Sequence, residues 1–189
     1  MEKINYRVLS GTLILTVLLS CFGCSQNSFS GYPWKQKLNE DLPLFGHRNW
    51  IVVVDSAYPK QSKAGIETVA TNQAHLEVIE TVMKAVEKEL HVNANIYLDA
   101  ELDFVSDSSA PGIELYKKQL EETLEGKNIK KLPHEDIIYK LDEAAQTFNV
   151  LILKTNFVLP YTSVFFELDC GYWNAEKEKE LRESMPSEK

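Results

Sequence analysis

The chain has 189 residues and a formal net charge of −8 at pH 7, with 44% hydrophobic and 25% charged residues. This length is enough for one domain with a sizeable core but not for two, and the composition is that of an ordinary globular protein. Since the charge balance is acidic and the sequence lacks any stripe of basic residues interleaved with aromatics, it argues against nucleic acid as a partner.

The first 24 residues are predicted to be a signal peptide that carries a lipobox. A basic start is followed by an apolar segment, residues 8–19, which is too short for a stable membrane anchor. Leu18-Leu-Ser-Cys21 then resembles a bacterial lipobox, with Cys21 as the lipidated residue and Cys24 as a second candidate. The alternative is a plain secretory signal in which both cysteines are incidental.

Lipidation would anchor the protein to a membrane of the cell envelope, at the periplasmic face or at the cell surface. Residues 25–41 are polar and are predicted to form a tether between the lipid and the domain. The folded domain is therefore expected to span residues 42–189.

Short apolar runs alternate with segments of helical periodicity through this domain. The predicted strands are residues 51–54, 66–70, 95–98, 150–153 and 164–168. The predicted helices are residues 76–90, 113–124 and 133–148, followed by a charged tail from Asn174. The alternation predicts an α/β fold of three layers, in which helices cover both faces of a mostly parallel or mixed sheet.

Two polar residues flank the first of these strands. His47 precedes it, and imidazole is the side chain most able to exchange a proton near neutral pH. Asp55 follows it directly, and a carboxylate at the end of a buried strand is often presented to a crevice. The alternatives are a turn with a surface histidine and a carboxylate that caps a turn.

Other polar residues lie farther along the chain. The acidic segment 99–112 does not match the spacing of an EF-hand and is expected to be a solvated loop. His75 and His91 have no motif around them and are expected at the surface. His134 opens a predicted helix, where the helix dipole tends to lower the pKa of an imidazole. Tyr161 precedes the last strand, where the alternative is an aromatic residue at the edge of the core.

Hydrolytic and metal chemistry are poorly supported by the pattern. The chain has no Gly-x-Ser-x-Gly turn to present a nucleophile. His47, Asp55 and His134 are suitable metal ligands by type, but no short ligand spacing joins them. A metal site is therefore not expected.

Three blocks of the chain together resemble the RbsD/FucU family of ribose pyranases and fucose mutarotases. The first runs from Gly46-His47 through Asp55 to Pro59, and the second is His134 at the start of its helix. The third is Leu153-Lys-Thr-Asn156 followed by Pro160-Tyr-Thr-Ser163. The resemblance implies an RbsD-like fold over residues 42–189.

The same resemblance implies a function, the interconversion of ring forms of a free monosaccharide by general acid–base catalysis without a cofactor. By this resemblance His47 would be the catalytic acid. Asp55, His134, Tyr161, Thr162 and Ser163 would hold the sugar hydroxyls. It further implies a ring-shaped homo-oligomer in which a neighbouring subunit completes each site.

Two departures from the family pattern support an alternative. Asn49 stands where ribose pyranases have an aspartate that would orient the histidine. Ser163 stands where the family usually has an asparagine, so that a single hydroxyl replaces a forked amide. Both changes are compatible with a carbohydrate-binding or assembly lipoprotein that kept the fold without the catalysis.

Overall fold

The computed structural model describes residues 33–186. The predicted signal peptide, with Cys21 and Cys24, and the first part of the predicted tether lie outside the described residues. Of the helices within 33–186, none combines the length and the apolar character that a membrane span requires.

The described residues form five α-helices, one 3-10 turn and six strands. In chain order these are α1 (Pro33–Asp41), β1 (Trp50–Val54), β2 (Ile66–Ala70), α2 (His75–Lys88), β3 (Val92–Asp99), the 3-10 turn (Ala100–Phe104), α3 (Ile113–Thr123), β4 (Ile129–Leu132), α4 (His134–Ala144), β5 (Val150–Lys154), β6 (Val164–Cys170) and α5 (Ala175–Ser184).

The six strands form one mixed sheet in the order β2-β5-β1-β6-β3-β4. β1, β2 and β5 run parallel to one another, and so do β3 and β4, whereas β6 is antiparallel to both of its neighbours. Five strands therefore run in one direction and only β6 runs in the other. The predicted α/β fold with a mixed sheet is confirmed.

Two cores lie on opposite faces of the sheet. Side chains alternate in direction along a strand, so Ile51 and Val53 enter the core under α1, α2 and α3. Trp50, Val52 and Val54 enter the second core, which α4 covers with Ile137 and Leu141 among other residues. All five residues of β1 are buried, as expected for a central strand covered on both faces.

The folded unit begins earlier than the sequence analysis predicts. Residues 33–41 were expected to belong to a tether, but they form α1, in which Trp34 and Leu38 are buried in the first core. The indole nitrogen of Trp34 also donates a hydrogen bond of 3.1 Å to Gln73. A helix of nine residues can dock through two apolar residues spaced by four, so its mostly polar sequence resembled that of a linker.

One edge strand was also missed. β4 consists of Ile129-Lys-Lys-Leu132, and its two lysines are exposed while the flanking residues are partly buried. Lysines are common on edge strands because they discourage pairing with another sheet. The short polar strand therefore carries no apolar run that would reveal it.

Candidate active site

Polar residues gather where the five parallel strands end and β6 begins. Such carboxyl ends are where ligands bind in open α/β sheets. We call this the carboxyl-edge site, and its members are Asp55 after β1, Asp99 at the end of β3, His134 at the start of α4, and Tyr161, Thr162 and Ser163 before β6. Topology alone thus brings together residues from four separate parts of the chain.

His134 and Asp99 form the central contact of this site. Nδ1 of His134 lies 3.1 Å from Oδ1 of Asp99, whose side chain is fully buried, while the His134 side chain is 29% exposed. The backbone N–H of His134 donates to both carboxylate oxygens of Glu101 at 3.0 Å. Glu101 thereby satisfies a free N–H in the first turn of α4 and fixes the backbone that carries the imidazole.

The environment raises the pKa of both partners. Burial raises the pKa of Asp99, although the hydrogen bond with His134 opposes this. The hydrogen bond to Asp99 raises the pKa of His134 despite partial burial. The helix dipole was expected to lower the pKa of His134, but the direct bond to a carboxylate has the larger effect. A carboxylate only accepts, so Nδ1 carries hydrogen and, in the neutral ring, Nε2 is free to accept a proton.

Tyr161 lies beside this pair. Its ring meets the His134 ring edge-on, with 5.9 Å between the ring centroids and an angle of 81° between the planes. Its side chain is 40% exposed, and its backbone has φ of 57°. A residue with a side chain adopts this left-handed conformation only when its surroundings hold it there.

A buried histidine supplies part of that support. His75 is 3% exposed, and its Nε2 lies 2.8 Å from the carbonyl oxygen of Thr162, directly after Tyr161. Its Nδ1 lies 2.8 Å from the hydroxyl of Thr155, and the hydroxyl of Tyr116 donates to the same Thr162 carbonyl at 2.9 Å. The expectation that His75 is a surface residue is wrong.

Burial lowers the pKa of His75 to about 4, so the ring is neutral near pH 7. A carbonyl oxygen only accepts hydrogen bonds, and the hydrogen of the neutral ring therefore lies on Nε2. The ring of Phe157 stacks on His75, with 5.1 Å between centroids and 16° between planes. His75 thus connects the start of α2 to both ends of the segment between β5 and β6.

The two residues after Tyr161 lie inside the molecule. Thr162 is fully buried, and its hydroxyl donates to the carbonyl oxygen of Leu159 at 2.9 Å. Ser163 is 2% exposed. Of the three consecutive residues expected to hold sugar hydroxyls, Tyr161 is the one whose side chain faces solvent.

Asp55 both caps a turn and contributes a carboxylate to the carboxyl-edge site. Its carboxylate accepts a hydrogen bond of 2.6 Å from the backbone N–H of Ala57, which caps the turn after β1. It is partly exposed at the carboxyl-edge site, and its charge contributes to the raised pKa values of Asp99 and Tyr58. Asp55 therefore belongs to the same electrostatic environment as the His134 pair.

His47 does not join these residues within one chain. It precedes β1, whose five residues span roughly 17 Å at about 3.3 Å each, so it lies at the opposite edge of the sheet from Asp55. Its side chain is 59% exposed and its Nε2 is 3.7 Å from Asp169 near the end of β6. A single chain therefore does not bring His47 and His134 into one site, contrary to what the sequence had led us to expect.

Asn49 has a structural role next to His47. Its Oδ1 accepts from the backbone N–H of Gly46 at 2.8 Å, and its amide nitrogen donates to the carbonyl oxygen of Asn149 at 3.3 Å. Its side chain is thus used to shape the turn before β1.

Sequence reasoning missed Asp99, Glu101 and His75. Asp99 was assigned to a solvated loop, yet it follows the apolar run Ile96-Tyr-Leu98 as Asp55 follows its own strand, and that pattern could have identified it. No comparable signal marks His75. Within residues 33–186, no three histidine, cysteine or acidic side chains cluster as a metal site would need.

Comparison with known proteins identifies the fold family. The model of the RbsD / FucU transport protein family matches residues 35–169. The chain belongs to the RbsD/FucU family. The match begins within α1, in agreement with the earlier start of the folded unit, and it includes every described member of the carboxyl-edge site.

Two solved structures are similar to this chain at low sequence identity. The structure of Bacillus subtilis RbsD complexed with D-ribose has a TM-score of 0.50 and 20% identity, over 70% of this chain and 91% of that chain. A fucose mutarotase from Streptococcus pneumoniae in complex with L-fucose has a TM-score of 0.48 and 19% identity, over 70% and 91% respectively. No curated protein matches the chain. The predicted RbsD-like fold is confirmed.

Proposed function

We propose that this RbsD/FucU protein interconverts the ring forms of a free monosaccharide by general acid–base catalysis. The observation that carries the proposal is the carboxyl-edge site, where His134, hydrogen-bonded to buried Asp99, lies beside the exposed ring of Tyr161. Family membership and the D-ribose held by the Bacillus subtilis relative support a small free sugar as the substrate.

The chemistry requires few groups. A base must take the proton of the anomeric hydroxyl, and an acid must give one to the ring oxygen, after which the open chain rotates and closes again. Groups with pKa values near the ambient pH are sufficient. An imidazole meets this requirement without a cofactor, and the carboxylate and phenol side chains at the same edge of the sheet are suited to hold the sugar hydroxyls.

In this proposal His47 acts as the acid in an assembly of several copies. Because it lies at the opposite edge of the sheet from Asp55 and His134, it can meet them only when a second copy presents it. The proposed protein is thus a homo-oligomer with sites at its subunit interfaces. We further propose that Cys21, or else Cys24, is lipidated and that the assembly is anchored in the cell envelope.

Exchange NMR spectroscopy on D-ribose and L-fucose tests the activity. The protein is expected to accelerate the exchange of magnetisation between ring forms, while His47→Ala and His134→Ala variants lose this acceleration. Line broadening without faster exchange would instead support the non-catalytic carbohydrate-binding lipoprotein. Exchange at the parent rate in His47→Ala would remove the role proposed for that residue.

Mixing the two inactive variants tests whether the site is shared. If one copy provides His47 and another His134, co-refolded mixed oligomers recover activity, because roughly one quarter of randomly formed interfaces contain both residues. If both residues served one copy, each mixed chain would remain inactive. A monomer in light scattering would also contradict the shared site.

A further inference from the structure

Resting on the proposed function, we infer that His134 is a second proton-transfer group, acting as the base, and that Asp99 is the residue that positions it. The pair does more than hold a sugar hydroxyl, because its arrangement prepares one ring nitrogen to accept a proton. Three features of the structure carry this inference.

The first feature is the fixed position of Asp99. It ends β3 and pairs with Leu132 of β4, so its backbone is held within the sheet. Its side chain is fully buried, and its Oδ2 has no hydrogen-bond partner among residues 33–186. A carboxylate without solvent access does not contact a sugar directly. Among the described residues, Asp99 can therefore act on the substrate only through its hydrogen bond to His134.

The second feature is the orientation of His134. Nδ1 faces Asp99, the backbone N–H is held by Glu101, and the ring packs against Tyr161. Nε2 makes no hydrogen bond to any residue in the described part of the chain, while the side chain is 29% exposed. The free nitrogen is thus the one on the accessible side of the ring.

The third feature is the sign of the surrounding charge. The titratable groups that act on the pair are Asp55 after β1, Glu101 in the 3-10 turn and Glu135 in α4. All of these are acidic, and none is a cation that would oppose protonation of the ring. A carboxylate behind an imidazole holds the tautomer and stabilises the imidazolium that forms during catalysis. The pKa of His134 is accordingly raised, which makes it a stronger base.

The proton-transfer steps balance as follows. The anomeric hydroxyl gives its proton to Nε2 of neutral His134, and the electron pair of that O–H bond becomes the second bond of the carbonyl. The bond between the anomeric carbon and the ring oxygen breaks, and the ring oxygen keeps its electron pair and takes a proton from the acid. After rotation, a sugar hydroxyl attacks the carbonyl carbon and returns a proton to the acid, while His134 returns its proton to the carbonyl oxygen.

The test compares the full chain with three variants, Asp99→Asn, His134→Gln and Asp103→Asn. Asp103 is a matched control, because it is a carboxylate near Asp99 that is half-exposed and pairs with Lys131 on the surface. Two readouts are used, the exchange rate of D-ribose and L-fucose as a function of pH and the NMR titration of the His134 ring. The titration needs no turnover and also separates a positioning role from a merely structural one.

We expect His134→Gln to reduce exchange by about 100-fold, the lower end of what one acid–base group contributes. Asp99→Asn is expected to reduce the plateau rate by about tenfold and to move both the His134 titration and the rising limb of the pH–rate profile to lower pH. Asp103→Asn should match the parent in both readouts.

Two results would overturn the inference. One is a His134→Gln variant that exchanges the sugar ring forms at the parent rate. This result can be obtained even if the buried Asp99→Asn substitution prevents folding. The other is an Asp99→Asn variant whose His134 titration and pH limb stay in place, which would indicate a structural role only. A parent chain that accelerates neither sugar would remove the proposed function itself and the catalytic role with it. In that case, a shift of the His134 titration in Asp99→Asn would establish only that Asp99 and His134 interact.

Discussion

The imidazole of His75 donates a hydrogen bond of 2.8 Å to the carbonyl oxygen of Thr162, 87 positions later in the chain. This bond holds the backbone immediately after Tyr161, the exposed aromatic residue of the carboxyl-edge site. Because Tyr161 has a left-handed backbone, the segment before β6 depends on such support. His75 is therefore a structural residue beside the site.

Removing this side chain should destabilise the fold. His75→Ala deletes a buried ring that makes two hydrogen bonds and stacks on Phe157, and we expect a loss of about 2–4 kcal/mol in the free energy of unfolding. Urea denaturation measures this loss. Tyr139→Ala, at an aromatic residue that is 64% exposed, is the control and should change stability by less than about 0.5 kcal/mol. Equal effects of the two variants would contradict the assigned role of His75.

Stability should also depend on pH through His75. Its pKa is lowered to about 4 in the folded state, whereas the unfolded chain binds the proton near the ordinary value of 6.5. The unfolded state therefore gains the proton first as pH falls, so the stabilisation is complete above about pH 6.5 and declines toward pH 4. The expected loss between pH 7 and pH 4 is about 3 kcal/mol.

A His75→Gln variant isolates this contribution, because glutamine does not titrate in this range. Urea unfolding of both proteins at several pH values should show that the difference in stability between parent and variant shrinks by about 3 kcal/mol on acidification from pH 7 to pH 4. A constant difference would mean that His75 is protonated equally in both states.

The docking of α1 predicts that the residues just before the predicted domain contribute to its stability. Trp34 is fully buried, so Trp34→Ala should reduce the free energy of unfolding by about 3–5 kcal/mol. Leu44→Ala, at a residue that is 82% exposed, should change it by less than about 0.5 kcal/mol.

Truncated chains test the same contribution of α1. Removal of residues 1–41 should destabilise the protein relative to removal of residues 1–32. Equal melting temperatures for the two truncated proteins would show that α1 is dispensable.

Gly65 marks a close approach between the start of β2 and the end of α4. A Cβ atom at this position would lie 2.5 Å from the carbonyl oxygen of Ala145 and 2.7 Å from that of Phe148. Because both contacts are to backbone atoms, Gly65→Ala should displace β2 and cost about 1–3 kcal/mol. Gly46→Ala is the matched control, since a Cβ there meets nothing within 4 Å. Thermal unfolding compares them, and equal melting temperatures would contradict the close approach.

Local sequence patterns predicted much of this protein. The β-branched run from Ile51 to Val54 indicated a central strand because such residues suit a site buried on both faces. Polar residues at strand ends and helix starts marked Asp55, His134 and Tyr161 as candidates, and the resemblance of these blocks to the RbsD/FucU family implied the fold. Periodicity and composition report on the immediate neighbours of a residue, which is sufficient for these features.

Tertiary structure decided how these pieces are combined. The order β2-β5-β1-β6-β3-β4 places Asp99 against His134 and His75 against Thr162, pairs that are 35 and 87 positions apart. It also puts the two ends of β1 at opposite edges of the sheet, which separates His47 from the residues it was expected to join. Contacts between distant segments depend on strand order and on burial, and a local pattern encodes neither of them.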